Sequence, residues 1–244
     1  MEIEFFIKPS DEEGDKWFDY WLSERQKWYI GLGIRKENLK TRPHADDERA
    51  HYARKAVDIE YNAPFGWSEF EGIHHRGDWD LGRHKLTYLD PETHEEYTPW
   101  VIETSGGVDR ATLFFLLDAY RKEPARNASA SVAGGEKRIV LGLHPKLAPV
   151  KVAVFPLVAN KAELVGKAKL IYDELKKYFM VAWDDRGNIG KRYLAQDEVG
   201  TPWCVTVDYA TLEDDTVTVR DRDTTHQERI NINNLVQYFQ EKLL

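Results

Sequence analysis

Val101-Ile102-Glu103-Thr104-Ser105-Gly106-Gly107-Val108-Asp109-Arg110 reads as an apolar strand that runs into a turn of small residues, with a strongly apolar helix after it over residues 111–120. Glycine lets a ligand approach the backbone of such a turn, and a helix N-terminus bearing an arginine suits a phosphate. Glu103 and Ser105 stand two apart and so share one strand face, offering an acceptor for an ammonium with a hydroxyl beside it. Strand, Gly-Gly turn and helix is also ordinary connective geometry. The pair of glycines lacks the third spaced glycine of a dinucleotide-binding turn.

Upstream, Glu2-Ile3-Glu4-Phe5-Phe6-Ile7 alternates like a strand and is closed by Pro9-Ser10-Asp11. Over residues 16–30 the aromatics Trp17, Phe18, Trp21, Trp28 and Tyr29 recur at helical spacing, which predicts an amphipathic helix with a core-packing stripe, stopped by Gly31 and Gly33. A second short helix is expected over 50–57, then strands over 58–61 and 68–73. On the latter strand Glu69 and Glu71 would share a face, where two carboxylates could meet a divalent cation or an amine. His74 and His75 would point to opposite faces, which argues against a paired-histidine metal site.

Downstream, residues 124–135 have loop composition, and Pro145 and Pro149 punctuate the entry to an alternating strand and helix pattern that indicates a mixed or parallel sheet. Lys191, Arg192 and Tyr193 could contact a phosphate and stack on a base, or simply begin a solvated helix. The chain has 244 residues, 34 Lys plus Arg against 42 Asp plus Glu, a net charge of −8 and one cysteine. That balance argues against affinity built on wholesale phosphate neutralisation. A lone cysteine excludes a disulfide scaffold and a thiolate zinc cage. No apolar run approaches membrane-spanning length, no signal peptide is evident, and a cytoplasmic location is expected. The excess of acid falls mostly before Pro145, and the rest is nearly neutral.

Several blocks in a fixed order carry a family resemblance. They are Met1-Glu2-Ile3-Glu4-Phe5-Phe6, His51-Tyr52-Ala53-Arg54-Lys55-Ala56-Val57-Asp58-Ile59, Glu69-Phe70-Glu71-Gly72-Ile73, and the segment from Glu103 to Arg110. Further on come Gly187-Asn188-Ile189-Gly190-Lys191-Arg192-Tyr193, Asp197-Glu198-Val199-Gly200-Thr201-Pro202 and Thr216-Val217-Thr218-Val219-Arg220-Asp221-Arg222-Asp223. With these the sequence resembles the C-terminal portion of the bacterial-type homodimeric glycine–tRNA ligases, which are class II aminoacyl-tRNA synthetases.

The resemblance implies an α+β fold with an α/β part. A partial class II antiparallel-sheet catalytic domain is expected over residues 1–147, and a mixed-sheet anticodon-binding domain over 148–244. It implies glycine, ATP and tRNA(Gly) as substrates. Arg110 matches the motif 3 arginine on the ATP γ-phosphate, and Gly107, Val108 and Asp109 stand beside it. Glu2, Glu103, Thr104, Ser105, Gly106 and Gly107 match the glycine pocket; Thr104 stands where the family commonly has proline. Glu69 and Phe70 match the strand along ATP, with Glu69 holding Mg2+, and Lys191, Arg192 and Tyr193 fall to the tRNA. Motif 2, with its α-phosphate arginine, and motif 1, which builds the family's dimer interface, precede Met1 in the family. The chain is therefore expected to be a truncated portion, inactive alone; the alternative is a non-catalytic paralogue that binds tRNA or another nucleic acid.

Overall fold

A computed structural model describes residues 1–124 and 137–243, which form two compact units, Met1–Asp118 and Ala119–Leu244. All but the first residue of the loop expected over 124–135 lies outside the described residues. The sequence reading breaks the chain at 147/148, whereas residues 119–147 group with the second unit.

The first unit is built on a five-stranded antiparallel sheet. Its strands are β1 (Glu2–Ile7), β2 (Leu39–Pro43), β3 (Lys55–Ala63), β4 (Gly66–Gly77) and, beyond a two-stranded hairpin of β5 (Tyr88–Leu89) and β6 (Glu96–Tyr97), β7 (Trp100–Ser105). Their order is β1-β7-β4-β3-β2. Two helices cover one face, α1 (Asp11–Gly31) and α3 (Val108–Ala119), and a short α2 (Trp79–His84) follows β4. The Ser10 side chain accepts from the Glu13 amide at 3.1 Å, and Asp11, Glu12 and Glu13 oppose the helix dipole, which fixes the start of α1. Phe18 and Tyr29 of α1 and Phe114 of α3 then bury against Ile59, Phe70, Ile73 and Ile102 of the sheet.

The helix expected over 50–57 is not formed. Only one turn is present there, with the Ala53 amide bonded to Ala50, and β3 begins at Lys55. The period-2 run Val57, Ile59, Tyr61, buried in the core between strands on both sides, overrides the local helical pattern. A second correction concerns Glu69 and Glu71. Opposite β3, Ile59 pairs with Glu71 but Glu60 pairs with Glu69, so β4 bulges at Phe70. The extra residue turns the two carboxylates to opposite faces.

In the second unit a ribbon of β8 (Tyr120–Pro124) and β9 (Lys137–Leu141) precedes a sheet of order β11-β10-β12-β13-β14. These strands are β10 (Val152–Pro156), β11 (Val181–Trp183), β12 (Trp203–Val207), β13 (Thr216–Asp221) and β14 (Gln227–Asn231). β10 runs parallel to β11 and β12, and the remaining pairs are antiparallel, so the sheet is mixed as the alternating pattern predicts. Helices α4 (Ala162–Leu175) and α7 (Leu235–Leu243) pack on one face, α5 (Ile189–Val199) packs on the other, and α6 (Thr211–Asp214) is a single turn. Every residue of β10 and β12 is buried, as both faces are covered. Gly200 ends α5 at φ 84°, where a side chain would also meet the Leu141 carbonyl at 2.9 Å.

A chain of alternating charges ties the ribbon to this sheet. Asp197 of α5 is fully buried and accepts from Arg138 at 2.8 Å and from Arg220 at 2.8 and 3.0 Å. Arg138 continues to Glu123 at 2.9 Å, Glu123 to Arg121 at 3.0 Å, and Arg121 to Asp223 at 2.6 Å. Asp223 also accepts from Arg222, whose other donors hold the Gly200 and Leu143 carbonyls. Asp197→Ala should leave the buried Arg220 without a carboxylate and Arg138 with Glu123 alone, and destabilise the second unit by about 3–5 kcal/mol, read as a lower urea midpoint. A change below about 1 kcal/mol would mean that the ribbon is held by packing instead.

Candidate functional site

The sheet face of the first unit that α1 and α3 leave uncovered carries a row of polar side chains. Register sets it up, because Glu4 lies opposite Glu103 and Glu2 opposite Ser105, while on the other flank of β7 His74 pairs with Glu103 and Gly72 with Ser105. Carboxylate oxygens of Glu2, Glu4 and Glu103 all lie within 4.8 Å of one another. Glu103 is buried; it accepts from Arg76 and stands 3.1 Å from His74 Nδ1. Arg76 is itself held by Asp80 at 2.8 Å and stacks over Tyr52 at 4.4 Å. Beneath Ser105, Gly72 carries no side chain, and a Cβ there would run into the His74 ring at 2.5 Å.

Three carboxylates facing one guanidinium leave the cluster short of positive charge. Partial loss of hydration, with the Glu103 carboxylate next in weight, pushes Glu4 up from 4.5 to about 7. Such a pocket favours an arriving cation, which would release that proton. Farther along the same face the acids are already matched. Arg42 bonds Asp58 at 2.7 Å, Glu60 at 3.0 Å and Glu48 at 2.7 Å, and Lys40 reaches Glu60 at 2.8 Å.

At the far end of β4, Arg110 at the start of α3 donates to the Glu69 carbonyl at 3.1 Å and lies 3.4 Å from the Glu69 carboxylate. Both side chains are about half exposed on a cavity of about 550 Å3, which Phe65, Ser68, Asp109, Leu113 and Phe114 also line. Gly107, Val108 and Asp109 are exposed beside it, while the Gly106 amide bonds the Met1 carbonyl at 2.9 Å.

Other predicted site residues fall elsewhere. Thr104 alternates to the covered face opposite Ile3 and Ile73 and is 2% exposed, so its side chain is removed from the pocket. Phe70 is the bulge residue; its ring packs on Tyr29 and Phe114 in the core and does not face a ligand. Glu71 is taken by α1, with Arg25 at 2.7 and 3.0 Å and the Tyr29 hydroxyl bonded to it. In the second unit Arg192 is 2% exposed and donates to the carbonyls of Pro156, Asp185, Arg186 and Gly187, which removes it from phosphate binding. Tyr193 is largely enclosed, bonding Thr206 at 2.6 Å and packing on Phe155, so its ring is not free to stack on a base. Lys191 alone of the three is exposed.

Residues 151–242 match the family described as "Anticodon binding domain". The full chain is 49% identical to the glycine–tRNA ligase of Clostridium tetani, 48% to that of Thermobifida fusca and 49% to that of Borreliella afzelii. Along its whole length the chain is related to the glycine–tRNA ligases. The alignments take in 100% of this chain and 51%, 53% and 55% of those relatives, so it spans about half their length, matching their C-terminal portion. Among the described residues no helix is long and apolar enough to cross a membrane.

Glu4 and Arg76 were not singled out by sequence, although Glu4 follows Glu2 by two on a strand and so had to share its face. Because its pKa is raised, Glu4 favours the fold most fully below 4.5, and that contribution is lost as pH rises through about 7. The Glu4 carboxyl should therefore titrate near 7 by NMR, and Glu103→Gln should lower that midpoint. Glu4→Gln, uncharged throughout, should stabilise the chain at pH 8 relative to the parent more than it does at pH 5. A Glu4 midpoint near 4.5 would show that the three carboxylates do not share a proton.

Proposed function

We propose that this chain carries half of a glycine–tRNA ligase site, in which glycine and ATP form glycyl-adenylate and the glycyl group then passes to tRNA(Gly). The observation that carries the reading is the converging Glu2, Glu4 and Glu103 with Ser105 opposite Glu2, in a chain aligned throughout with these ligases. Glycine has no side chain to read, so selection rests on gripping its ammonium and crowding its α-carbon. Glu2 and Glu103 take the ammonium, Ser105 adds a hydroxyl, and Arg76, donating to Glu103, fixes the orientation of that carboxylate. An oxygen of the glycine carboxylate attacks the ATP α-phosphorus, the bond to the β-phosphate oxygen breaks and pyrophosphate leaves. Transfer follows when a hydroxyl of the tRNA 3′ end attacks the glycyl carbonyl and AMP leaves.

ATP lies in the cavity beside Arg110, whose guanidinium meets the γ-phosphate at the exposed start of α3. Glu69 offers one exposed carboxylate there, since its register neighbour Glu60 is occupied by Arg42 and Lys40. One carboxylate together with phosphate oxygens is a donor set that Mg2+ accepts, and the ion would neutralise phosphate charge. Functionally the catalytic part runs through residue 147 and the anticodon-binding part from 148.

Alone, the 244-residue chain should show no glycine-dependent exchange of pyrophosphate into ATP, because it spans only about half the length of the ligases it aligns with. Fused to the N-terminal portion of a relative, it should exchange. There Arg110→Ala should slow exchange by about 100-fold or more, and Glu103→Gln should weaken glycine more than ATP. Unchanged exchange in both variants would overturn the site. The chain should also bind tRNA(Gly) more tightly than a transcript with a swapped anticodon; equal affinity would reduce the second unit to charge-driven binding.

A further inference from the structure

The outward face of the β8–β9 ribbon brings two lysines without a carboxylate partner among the described residues together beside an exposed tyrosine ring. Several exposed cations of this unit lie on carboxylates, Lys167 on Asp215, Lys169 and Lys176 on Asp173, Lys177 on Glu174 and Arg229 on Asp208, whereas among the described residues Lys161, Lys191 and Lys242 stand without one. In the ribbon, alternation sends Arg121, Glu123, Arg138 and Val140 inward and Tyr120, Lys122, Lys137 and Ile139 outward. The inward set is locked into the buried charge chain through Asp197 and Asp223. On the outward set, Lys122 leans over the Tyr120 ring at 6.0 Å, and among the described residues neither lysine has a carboxylate partner. Lys122 pairs across the ribbon with Ile139, and Lys137 with Pro124 two residues on, so the two lysines are diagonal neighbours on this face, with Tyr120 next along the strand from Lys122.

This face has cations, an aromatic ring 47% exposed and, among its described residues, no acid. Such a surface is complementary to a sugar–phosphate backbone. Its backbone is fixed from beneath before any partner arrives, so little order has to be gained on binding. We propose that the outward face of the β8–β9 ribbon is a second RNA-contacting surface, gripping the tRNA backbone without reference to its anticodon. The proposal rests on the tRNA-binding reading above and assigns to it residues that neither the family resemblance nor the domain match names.

The test is a fluorescence-anisotropy titration of the 244-residue chain with a tRNA(Gly) transcript and with its anticodon-swapped counterpart, at several salt concentrations. The double substitution Lys122→Ala/Lys137→Ala should weaken both transcripts by the same factor, roughly 10-fold, and make the salt dependence shallower by about two in log–log slope. Lys122→Arg/Lys137→Arg should restore binding, and Lys176→Ala/Lys177→Ala just past the end of α4 should leave it as in the parent. If the alanine pair binds both transcripts like the parent, the face serves another partner, such as a protein, and the proposal falls. In that case the tRNA reading still stands, provided the anticodon swap weakens the parent. A parent that binds neither transcript overturns both.

Discussion

The Glu71 carboxylate decides how the first unit is put together. Buried to 1% exposure, it needs partners for its oxygens, and Arg25 and Tyr29 supply them from the C-terminal half of α1. That attachment draws α1 across β4 at the residue next to the Phe70 bulge. Without the bulge Glu71 would share a face with Glu69, and a helix would have no charge to hold there. With it, one acid of the Glu-Phe-Glu triplet binds the scaffold together and the other stands half-exposed beside Arg110. The open face, with Glu2, Glu4 and Glu103 in register, exists because α1 is fastened to the opposite one.

Much of this was legible in the sequence. The aromatic spacing of residues 16–30 gives α1, the Glu103 to Arg110 block gives the strand, turn and helix as they occur, and the two histidines do face opposite ways. What could not be read depends on pairing. A bulge is a property of two strands, and nothing in the string Glu69-Phe70-Glu71 signals that Glu60 will pair one residue out of step. Residues 50–57 have helical composition, yet β3 takes the end of that stretch because strands wait on both sides. The polar strand β14, Gln227–Asn231, shows no alternation of apolar residues and is formed by its partner β13. The order of blocks located the candidate pocket, and register was needed to bring Glu4 and Arg76 into it.

The two units handle buried charge in opposite ways. In the second, guanidiniums and carboxylates alternate with few groups left over, a composition suited to fixing a geometry and exchanging nothing with solvent. In the first, the row from Arg42 to Glu60 is matched likewise, but the three glutamates beside Ser105 are not. An electrostatic deficit kept in a pocket whose walls are otherwise satisfied has a structural cost, since the folded chain would be more stable with one carboxylate fewer.

Arg192 shows what such a fold does to the reading of relatives. Its guanidinium closes four carbonyls at the end of β10 and around the loop before α5, a geometry no lysine or glutamine reproduces. Selection against losing that loop would hold the position invariant as firmly as selection for contact with RNA. In an alignment the two pressures leave the same mark, and a scan that scores RNA binding alone would count an unfolded loop as a lost contact. For basic residues in this unit, invariance therefore identifies function only after the arginine's acceptors have been counted.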